Sequence, residues 1–209
     1  MQLKKKMKII CVGKNYLGHI REFDGAVPEA PIFFLKPDTA LTVRNRPFFL
    51  PDFAKRFDYE VEILLRICKV GKCIQERFAH TYYDAIGLGI DFTARDVQSR
   101  CREKGEPWEI CKGFDGSAVV SRFVHKSNFP DLSNLEFSLT LNGETVQHGN
   151  TADMIFNFDR IISYVSQFIT LKMGDIIFTG TPAGIGAVKI NDRLQGFIGN
   201  EKFLDFRVK

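Results

Sequence analysis

The sequence predicts a strand-rich α+β domain, and three observations support this fold class. Short runs of β-branched and aromatic residues recur along the whole chain, and only three segments have clear helical spacing. The strand-like and helix-like segments follow each other at irregular distances, which argues against the regular alternation of a doubly wound sheet. No internal repeat, linker or low-complexity segment interrupts the 209 residues, so we expect a single domain over residues 1–209.

Three strands are expected in the first third of the chain. The runs KIICVG, APIFFLKP and RFDYEVEILLRICKV are apolar or alternate polar with apolar positions, and a proline stops the second run. The segment NYLGHIREFDG lies between the first two strands. It is polar and contains two glycines, so we expect a loop or a short helix, the kind of segment that often carries catalytic residues.

The middle of the chain is expected to contain a helix, a strand and a second helix. Residues Gln75 to Tyr83 have helical spacing, and Ala85 to Phe92 form an apolar run typical of a buried strand. Thr93 to Lys104 is expected as a helix with Thr93 as its N-cap, because a threonine hydroxyl can accept a hydrogen bond from the first turn. Asp91 is therefore expected at the end of a strand.

The last part of the chain is expected to contain further strands and one long helix. SAVVSRFV and FSLTLNGETVQH are typical of strands, and Asn142-Gly143 indicates a type I′ hairpin turn, in which both residues have positive φ. Apolar residues at helical spacing predict a helix from Thr151 to Thr170, before Gly174. GDIIFTGTPAGIG is expected as a strand that runs into a glycine-rich turn.

Charge and composition argue against a nucleic-acid-binding protein. The chain is 44% hydrophobic and 26% charged, as is usual for a globular protein. Its net charge of +4 is raised by Lys4, Lys5, Lys6 and Lys8, so residues 1–7 are expected to form a disordered basic tail. Elsewhere basic and acidic residues are interspersed, and no basic stripe is combined with stacking aromatic residues.

Cysteine spacing and hydropathy favour a cytoplasmic protein. The cysteines are odd in number and lack CxxC spacing, which argues against a disulfide framework and a thiolate zinc site; they are Cys11, Cys68, Cys73, Cys101 and Cys111. No apolar run approaches the ~20 residues of a membrane-spanning helix. The apolar stretch after the basic start is too short for the core of a signal peptide.

Glu60 and Glu62 form an ExE pair inside an otherwise apolar strand. A strand has a period of two, so both carboxylates point to one face, about 6.6 Å apart along the strand. Burying two like charges is costly unless a cation compensates them, and a hard divalent ion is one solution. The alternative is a strand with one solvated face, and spacing alone does not decide between these two interpretations.

Asp91 supplies a third acidic side chain. It follows the apolar run AIGLGI, where an unpaired charge needs an explanation. A helix cap or a surface turn is the simpler alternative. If the three carboxylates meet, an all-oxygen site suits Mg²⁺ or Mn²⁺ better than Zn²⁺ and leaves coordination positions open for a chelating substrate.

Seven motifs connect these residues to a known family. They are, in chain order, VGKNYLGHIREF, FLKPDTAL, FDYEVEILL, GIDFTARDVQ, KGFDGS, GNTADMIF and GDIIFTGTPAGIG. In this order the chain resembles the fumarylacetoacetate hydrolase family along essentially its whole length. It is most similar to the short, single-domain branch of acylpyruvate hydrolases and oxaloacetate decarboxylases. The resemblance implies a mixed β-roll fold, one catalytic domain and a homodimer.

The resemblance also implies a set of site residues. Glu60, Glu62 and Asp91 match the family's ligands for magnesium or manganese. His19 and Glu22, in HIRE, match a general-base pair on a mobile loop, and Lys112 matches an active-site lysine. The implied substrate contacts are Arg95, Gln98 and Thr181. Judged without the motifs, His19, Gln98 and Lys112 have simpler interpretations as surface or helix-face residues. His80, His125 and His148 are assigned no role.

The resemblance implies a divalent-metal-dependent hydrolase or lyase that cleaves a carbon–carbon bond in a small 2-oxo acid. The reaction would be acylpyruvate hydrolysis or oxaloacetate decarboxylation through a metal-stabilised pyruvate enolate. An alternative is an isomerase or decarboxylase of the 2-hydroxyhepta-2,4-diene-1,7-dioate type. A third is an inactive protein that binds 2-oxo acids with a metal ion, which the presence of His19, Glu22 and Lys112 argues against.

Overall fold

The computed structural model describes residues 7–22, 26–43 and 45–209, and this part of the chain contains fifteen strands and five α-helices. The strands are β1 (Ile9–Gly13), β2 (Ile32–Lys36), β3 (Leu41–Val43), β4 (Phe57–Tyr59), β5 (Val61–Ile67), β6 (Tyr83–Asp91), β7 (Thr93–Ala94), β8 (Ala118–Val120), β9 (Val124–His125), β10 (Glu136–Leu141), β11 (Glu144–Asn150), β12 (Ile176–Phe178), β13 (Gly186–Ala187), β14 (Arg193–Ile198) and β15 (Glu201–Arg207). The helices are α1 (Leu17–Arg21), α2 (Glu76–Ala79), α3 (Arg95–Lys104), α4 (Glu109–Lys112) and α5 (Phe158–Phe168). Single 3₁₀ turns span Asp38–Ala40, Lys126–Asn128 and Thr151–Asp153.

The largest sheet is mixed and curled. Its strand order is β2-β1-β12-β5-β6-β8-β3, and β9 pairs with β6 beside this path. The pairs β1–β12 and β3–β8 are parallel, whereas β5 and β6, at the centre, are antiparallel. A second sheet has the antiparallel order β11-β10-β14-β15, and a third consists of β13, β4 and β7. The architecture confirms the expected α+β class and the mixed β-roll.

The core lies on both faces of the large sheet. Val61, Ile63 and Leu65 of β5 belong to the larger apolar cluster, whereas Leu64, between them, belongs to a smaller one. This alternation follows from the period of two along a strand. Glu60 and Glu62 have the same parity as Leu64, so they lie on the side of the smaller cluster. Its members are Ile9, Cys11, Ala40, Leu64, Ala118, Val120, Ile176 and Phe178.

All three expected helices are shorter than their sequence patterns suggest. In the segment Gln75–Tyr83 only α2 is helical, because Tyr83 pairs with Ile67 in the β5–β6 ladder. The expectation that Thr93 is the N-cap of the next helix is wrong. Thr93 pairs with Asp58 in β7, Ala94 takes the N-cap position, and no side chain caps the first turn of α3.

The expected helix from Thr151 to Thr170 is confirmed only in its second half. Asn157 starts α5, and its side chain accepts a hydrogen bond from the N–H of Arg160. The preceding residues leave the helical path, because the N–H of Ile155 donates to Asn15 O at 2.9 Å. The hairpin at Asn142 and Gly143 is confirmed, with φ of 54° and 95°.

The amino-terminal segment is only partly described. The expected basic tail covers residues 1–7, and residues 1–6 lie outside the described residues. Met7 packs against the smaller apolar cluster, and the N–H of Lys8 donates to Asp175 Oδ1 at 2.8 Å. Within the described ranges, every helix is too short or too polar to cross a membrane.

Candidate active site

Three buried carboxylates meet at one end of the central strand pair. Glu60 lies in the break between β4 and β5, Glu62 lies in β5, and Asp91 ends β6. The register places Glu62 opposite Gly89, and the N–H of Asp91 donates to Glu60 O at 2.8 Å. One oxygen from each side chain lies within 4.8 Å of the other two. The predicted ExE face and the strand-terminal aspartate therefore form one acidic cluster.

Two cationic side chains contact this cluster from short helices. Lys112, the last residue of α4, places Nζ 2.7 Å from Glu60 Oε2 and 3.0 Å from Asp91 Oδ2. Arg95, the first residue of α3, donates to Glu60 Oε1 at 2.5 Å and to Asp58 Oδ2 at 2.8 Å. Lys112 and Arg95 therefore both approach Glu60, one at each oxygen.

Lys36 contacts the cluster from β2, and the sequence patterns did not single it out. Its Nζ lies 2.7 Å from Asp91 Oδ1, but the angle does not meet hydrogen-bond geometry, so this buried oxygen has no hydrogen-bond partner among the described residues. Lys36 instead donates to the carbonyl oxygens of Ser117 at 3.0 Å and Phe92 at 3.3 Å. A lysine inside the apolar run IFFLK is the signal that could have identified it.

The three carboxylates are electrostatically unequal. Burial opposes ionisation of Glu60, but Lys112, Arg95 and His19 outweigh this effect and hold its pKa below the ordinary value. Burial raises the pKa of Glu62 well above the ordinary value, and the nearby charges of Asp91 and Glu60 raise it further. Neighbouring cations thus stabilise the charge of Glu60, whereas the surroundings of Glu62 oppose its ionisation.

His19 and Glu22 form a pair at the end of α1. His19 Nδ1 lies 3.0 Å from Glu22 Oε2, and the N–H of Gly184 donates to the other carboxylate oxygen at 2.7 Å. If Glu22 accepts the Nδ1 proton, Nε2 is the nitrogen that carries the lone pair and can act as a base. The predicted spacing of three residues thus places the two side chains in contact.

The predicted substrate contacts are also held by hydrogen bonds. Gln98 Oε1 accepts from Arg95 at 2.6 Å, so these two side chains of α3 form one unit. Thr181 Oγ1 accepts from Gln147 Nε2 at 2.9 Å, which leaves the threonine proton available to donate. Gln147 was not predicted, and an isolated glutamine in a strand gives no sequence signal.

One cavity brings these groups together. Eight of the nine predicted site residues line it, and Glu22 contacts it through His19. The lining residues predicted from the sequence are His19, Glu60, Glu62, Asp91, Arg95, Gln98, Lys112 and Thr181. Apolar walls come from Ile20, Ile32, Phe34 and Trp108, and two further cations, Lys14 and Arg102, complete the charged part. His80, His125 and His148 are exposed and lie outside this cavity.

Comparison with known proteins identifies the family. The family model described as fumarylacetoacetate (FAA) hydrolase C-terminal matches residues 8–204. The chain belongs to the fumarylacetoacetate hydrolase family. The match spans all three sheets and every residue of the acidic cluster, so the resemblance seen in the seven sequence motifs is confirmed.

Relatives in this family include an oxaloacetate tautomerase, a fumarylpyruvate hydrolase and a dioate isomerase. The chain is 43% identical to the mitochondrial oxaloacetate tautomerase FAHD1 of Bos taurus over 201 residues, 96% of this chain and 91% of the relative. A solved fumarylpyruvate hydrolase from Pseudomonas aeruginosa, in complex with Mn²⁺ and pyruvate, has a TM-score of 0.92 and 35% identity and covers 97% of this chain and 89% of that one. A 2-hydroxyhepta-2,4-diene-1,7-dioate isomerase from Mycobacterium marinum has a TM-score of 0.84 and 32% identity, with coverage of 97% and 74%.

Proposed function

We propose that this chain is a divalent-metal-dependent enzyme that forms the enolate of a small 2-oxo acid. The reactions it would catalyse are carbon–carbon bond cleavage in oxaloacetate or an acylpyruvate, and the interconversion of the keto and enol forms of oxaloacetate. The observation that carries the proposal is the position of the three buried carboxylates, Glu60, Glu62 and Asp91, in the same cavity as the His19–Glu22 pair.

We propose that Glu60, Glu62 and Asp91 hold Mg²⁺ or Mn²⁺. Three carboxylate oxygens within 4.8 Å of one another match the preference of hard divalent ions for oxygen ligands. Asp91 Oδ1 has Lys36 Nζ 2.7 Å away but no hydrogen-bond partner among the described residues. Burial, followed by repulsion from Asp91 and Glu60, raises the pKa of Glu62, and a bound cation would offset both effects. When bound, the ion would polarise the two adjacent oxygens of a 2-oxo carboxylate as a Lewis acid.

We propose that His19 moves the proton in acylpyruvate hydrolysis and in the interconversion of keto and enol oxaloacetate. In acylpyruvate hydrolysis, Nε2 would take a proton from water, and the resulting hydroxide would attack the distal carbonyl. The bond from that carbon to the neighbouring carbon would then break, which gives a carboxylic acid and the enolate of pyruvate. The enolate would take the proton back from the imidazolium at carbon to give pyruvate. In the interconversion of keto and enol oxaloacetate, the same nitrogen would remove and return a proton at the carbon next to the 2-oxo group. Glu22 would stabilise the imidazolium in both reactions. Decarboxylation of oxaloacetate releases carbon dioxide without an attacking water.

The cationic side chains would stabilise the negative charge that develops on the substrate. Burial opposes the charged form of Lys112, but Asp91 and Glu60 outweigh it and raise its pKa, so its ammonium stays charged. Lys112 Nζ also lies 5.3 Å from the centre of the Phe34 ring. We propose that Arg95 and Gln98 orient the substrate carboxylate and that the Thr181 hydroxyl donates to a substrate oxygen.

The dioate isomerase of Mycobacterium marinum supports a second candidate function, the isomerisation of an unsaturated 2-hydroxy dioate. A dioate isomerase needs proton relocation and no attacking water, and the His19–Glu22 pair could perform that step as well. Turnover of an unsaturated dioate without release of pyruvate would favour this candidate. Pyruvate release from acetylpyruvate would favour hydrolysis.

The first experiment measures pyruvate release from acetylpyruvate and from oxaloacetate, with Mg²⁺ or Mn²⁺ and then with excess chelator. The decay of the ultraviolet absorbance of enol oxaloacetate is followed in parallel. We expect turnover with metal ion and loss of turnover with chelator in at least one assay. Turnover that chelator leaves unchanged would contradict the metal site, and failure in every assay would contradict the proposed enzyme.

We also propose a homodimeric, single-domain and cytoplasmic protein. Ile32 and Leu35 are exposed apolar residues on β2, which is an outer strand of the large sheet within the described residues. Such an edge is usually covered in solution. All five cysteines are free thiols, which suits a reducing compartment. Light scattering would report the mass of one or two chains, and cell fractionation would report the location.

A further inference from the structure

Lys14 is a cation on the cavity wall that the proposed chemistry does not use. It lines the same cavity as His19, Glu60 and Lys112. Arg95 and Lys112 are bound to carboxylates of the cluster, whereas Lys14 has no acidic partner among the residues that the structure describes. A lysine that lines the cavity and has no acidic partner in the described ranges is available to a ligand.

The backbone holds Lys14 in a conformation that a lysine rarely adopts. Its φ is 56°, in the left-handed region. Of the five non-glycine residues with positive φ in the described ranges, three are asparagines, the residue type that tolerates this region best. Strained residues of this kind persist only where the surrounding structure imposes the conformation, and they cluster at binding sites.

Asn15 imposes this conformation from the next position. Its side chain is fully buried and donates to the carbonyl oxygens of Phe156 at 3.0 Å and Thr179 at 2.8 Å. It also accepts a hydrogen bond from the N–H of Phe156 at 2.8 Å. Because β1 ends at Gly13 on one side and Asn15 is anchored on the other, the backbone of Lys14 is fixed at the cavity wall.

The charge of the cavity favours a dianionic ligand. Its lining contains the three carboxylates of the cluster and four permanent cations, which are Lys14, Arg95, Arg102 and Lys112. A bound divalent ion would add two positive charges, so the lining would carry an excess of three. The 2-oxo carboxylate group of a substrate neutralises one of these charges, and a second, distal carboxylate neutralises another.

We propose that Lys14 binds the distal carboxylate of the substrate and thereby selects 2-oxo dicarboxylates over 2-oxo monocarboxylates. The inference rests on the proposed function, because it takes the 2-oxo carboxylate group to lie at the metal ion. Lys14 is then a specificity-determining residue of the cavity lining. Its ammonium group offers three donors to the two oxygens of the distal group.

The test compares two unreactive ligands that differ only in the distal group. 2-Oxoglutarate ends in a carboxylate, and 2-oxopentanoate ends in a methyl group at the same distance. Trp108 is the single tryptophan of the chain and lines the cavity, so its fluorescence reports binding in the presence of saturating Mg²⁺. The compared proteins are the parent, Lys14→Met and Lys14→Arg. Methionine and arginine keep the Cβ atom and an unbranched side chain, so the backbone strain is the same in all three.

We expect Lys14→Met to weaken 2-oxoglutarate binding about 10- to 100-fold, the range for loss of a charge-assisted hydrogen bond. Binding of 2-oxopentanoate should change less than about twofold on the same argument, because no charge pair is lost. Lys14→Arg keeps the positive charge and should therefore keep most of the parent's affinity for 2-oxoglutarate. Equal losses for the two ligands, or no loss for 2-oxoglutarate, would overturn the inference. A parent protein that binds neither ligand would overturn it together with the proposed function.

Turnover measurements distinguish a failure of this inference from a failure of the proposed function. In Lys14→Met we expect kcat/KM for oxaloacetate to fall about 10- to 100-fold, while kcat/KM for acetylpyruvate, whose distal end is a methyl ketone, stays within about twofold. The matched control is Lys104→Met, which removes an exposed lysine outside the cavity and should change neither value. If the parent turns over both substrates and the variant loses both equally, the specificity role is wrong and the proposed function stands.

Discussion

Glu22 accepts a hydrogen bond from the backbone N–H of Gly184 at 2.7 Å, which joins segments 162 positions apart in the sequence. The other oxygen of Glu22 lies 3.0 Å from His19 Nδ1. In the same glycine-rich turn, the N–H of Gly180 donates to Glu62 Oε2 at 2.6 Å. One turn is therefore bonded both to a proposed metal ligand and to the proposed base pair, and its position couples the two.

We expect Gly184→Ala to lower kcat for acetylpyruvate by about tenfold to a hundredfold, since a small misplacement of a catalytic group can cost this much. Gly184 has a φ of +95°, and an added Cβ atom would lie 2.2 Å from the backbone oxygen of Val146. The turn must therefore shift, which moves the N–H that holds Glu22. Steady-state kinetics and the thermal unfolding midpoint are measured together.

Gly143→Ala is the matched control for this substitution. Gly143 has the same φ of +95°, but an added Cβ atom would meet nothing within 4 Å. It lies in the hairpin turn between β10 and β11, and it does not line the cavity. We expect a loss of about 1 kcal/mol in the free energy of unfolding, from the conformation alone, and an unchanged kcat. Equal effects of the two substitutions on kcat would disprove the link between the turn and Glu22.

We expect His19→Ala to damage hydrolysis more than decarboxylation. Loss of a general base costs roughly 10²- to 10⁴-fold, and only the hydrolytic reaction needs a proton to be taken from water. Pyruvate release from acetylpyruvate should fall by this factor, whereas release from oxaloacetate should fall less than about tenfold. His148→Ala, which removes an exposed histidine of β11, is the control and should change neither rate. Equal losses for the two substrates would argue against the proposed role of His19.

We expect Mg²⁺ or Mn²⁺ to raise the thermal unfolding midpoint and excess chelator to reverse the change. A ligand that binds only the folded state stabilises it by about 2.7 kcal/mol at a hundred times its Kd. In Glu60→Ala both the metal-dependent shift and turnover should disappear. The metal-dependent difference is the relevant quantity, because the substitution also removes a partner of Lys112 and Arg95. A shift of the same size in variant and parent, or equal activity, would rule out Glu60 as a ligand.

The ion pair between Asp205 and Arg193 makes the free energy of unfolding depend on pH in the acidic range. The hydrogen bond from Arg193 holds the pKa of Asp205 below its ordinary value, and Lys202 adds to the effect. Because the pKa of Asp205 is lower in the folded state than in the unfolded state, the ion pair adds to the free energy of unfolding above about pH 4. This addition is lost as pH falls through the folded-state pKa. We expect Asp205→Asn to cost about 1 kcal/mol at pH 7, a value discounted for solvent exposure, and less at pH 3. Urea unfolding at both pH values measures this, and equal losses at the two would contradict it.

The acidic cluster could be predicted because its pattern is local. The alternation of Glu60, Val61 and Glu62 fixes a common face in any strand, and a charge directly after an apolar run places Asp91 at a strand end. Local sequence does not show that these two strands lie side by side. The resemblance to the family, carried by the order of the motifs, predicted it. The prediction of an N-cap at Thr93 is wrong because it rested on a local preference. Pairing with Asp58, which is distant in the sequence, outweighs the capping preference.

The residues that the sequence did not reveal are those whose role depends on distant partners. Lys36 contacts Asp91 across the smaller cluster, and Gln147 contacts the ExE strand 86 positions away. Gln147 is fully buried, accepts a hydrogen bond from the N–H of Val61 at 2.9 Å and donates to Thr181 Oγ1 at 2.9 Å and Pro182 O at 3.0 Å. It therefore ties the backbone between the two glutamates to the turn that carries Thr181.

We expect Gln147→Leu to cost about 2 kcal/mol or more in the free energy of unfolding and to lower kcat about tenfold, because it leaves the buried N–H of Val61 without an acceptor and frees Thr181 to reorient. Ser166→Ala is the control. Ser166 is fully buried in α5, accepts from the N–H of Ile74 at 2.8 Å and does not line the cavity. It should lose comparable stability with an unchanged kcat. Urea unfolding and steady-state kinetics on both variants separate the two effects, and a kcat that is unchanged in Gln147→Leu would reduce Gln147 to a purely structural residue.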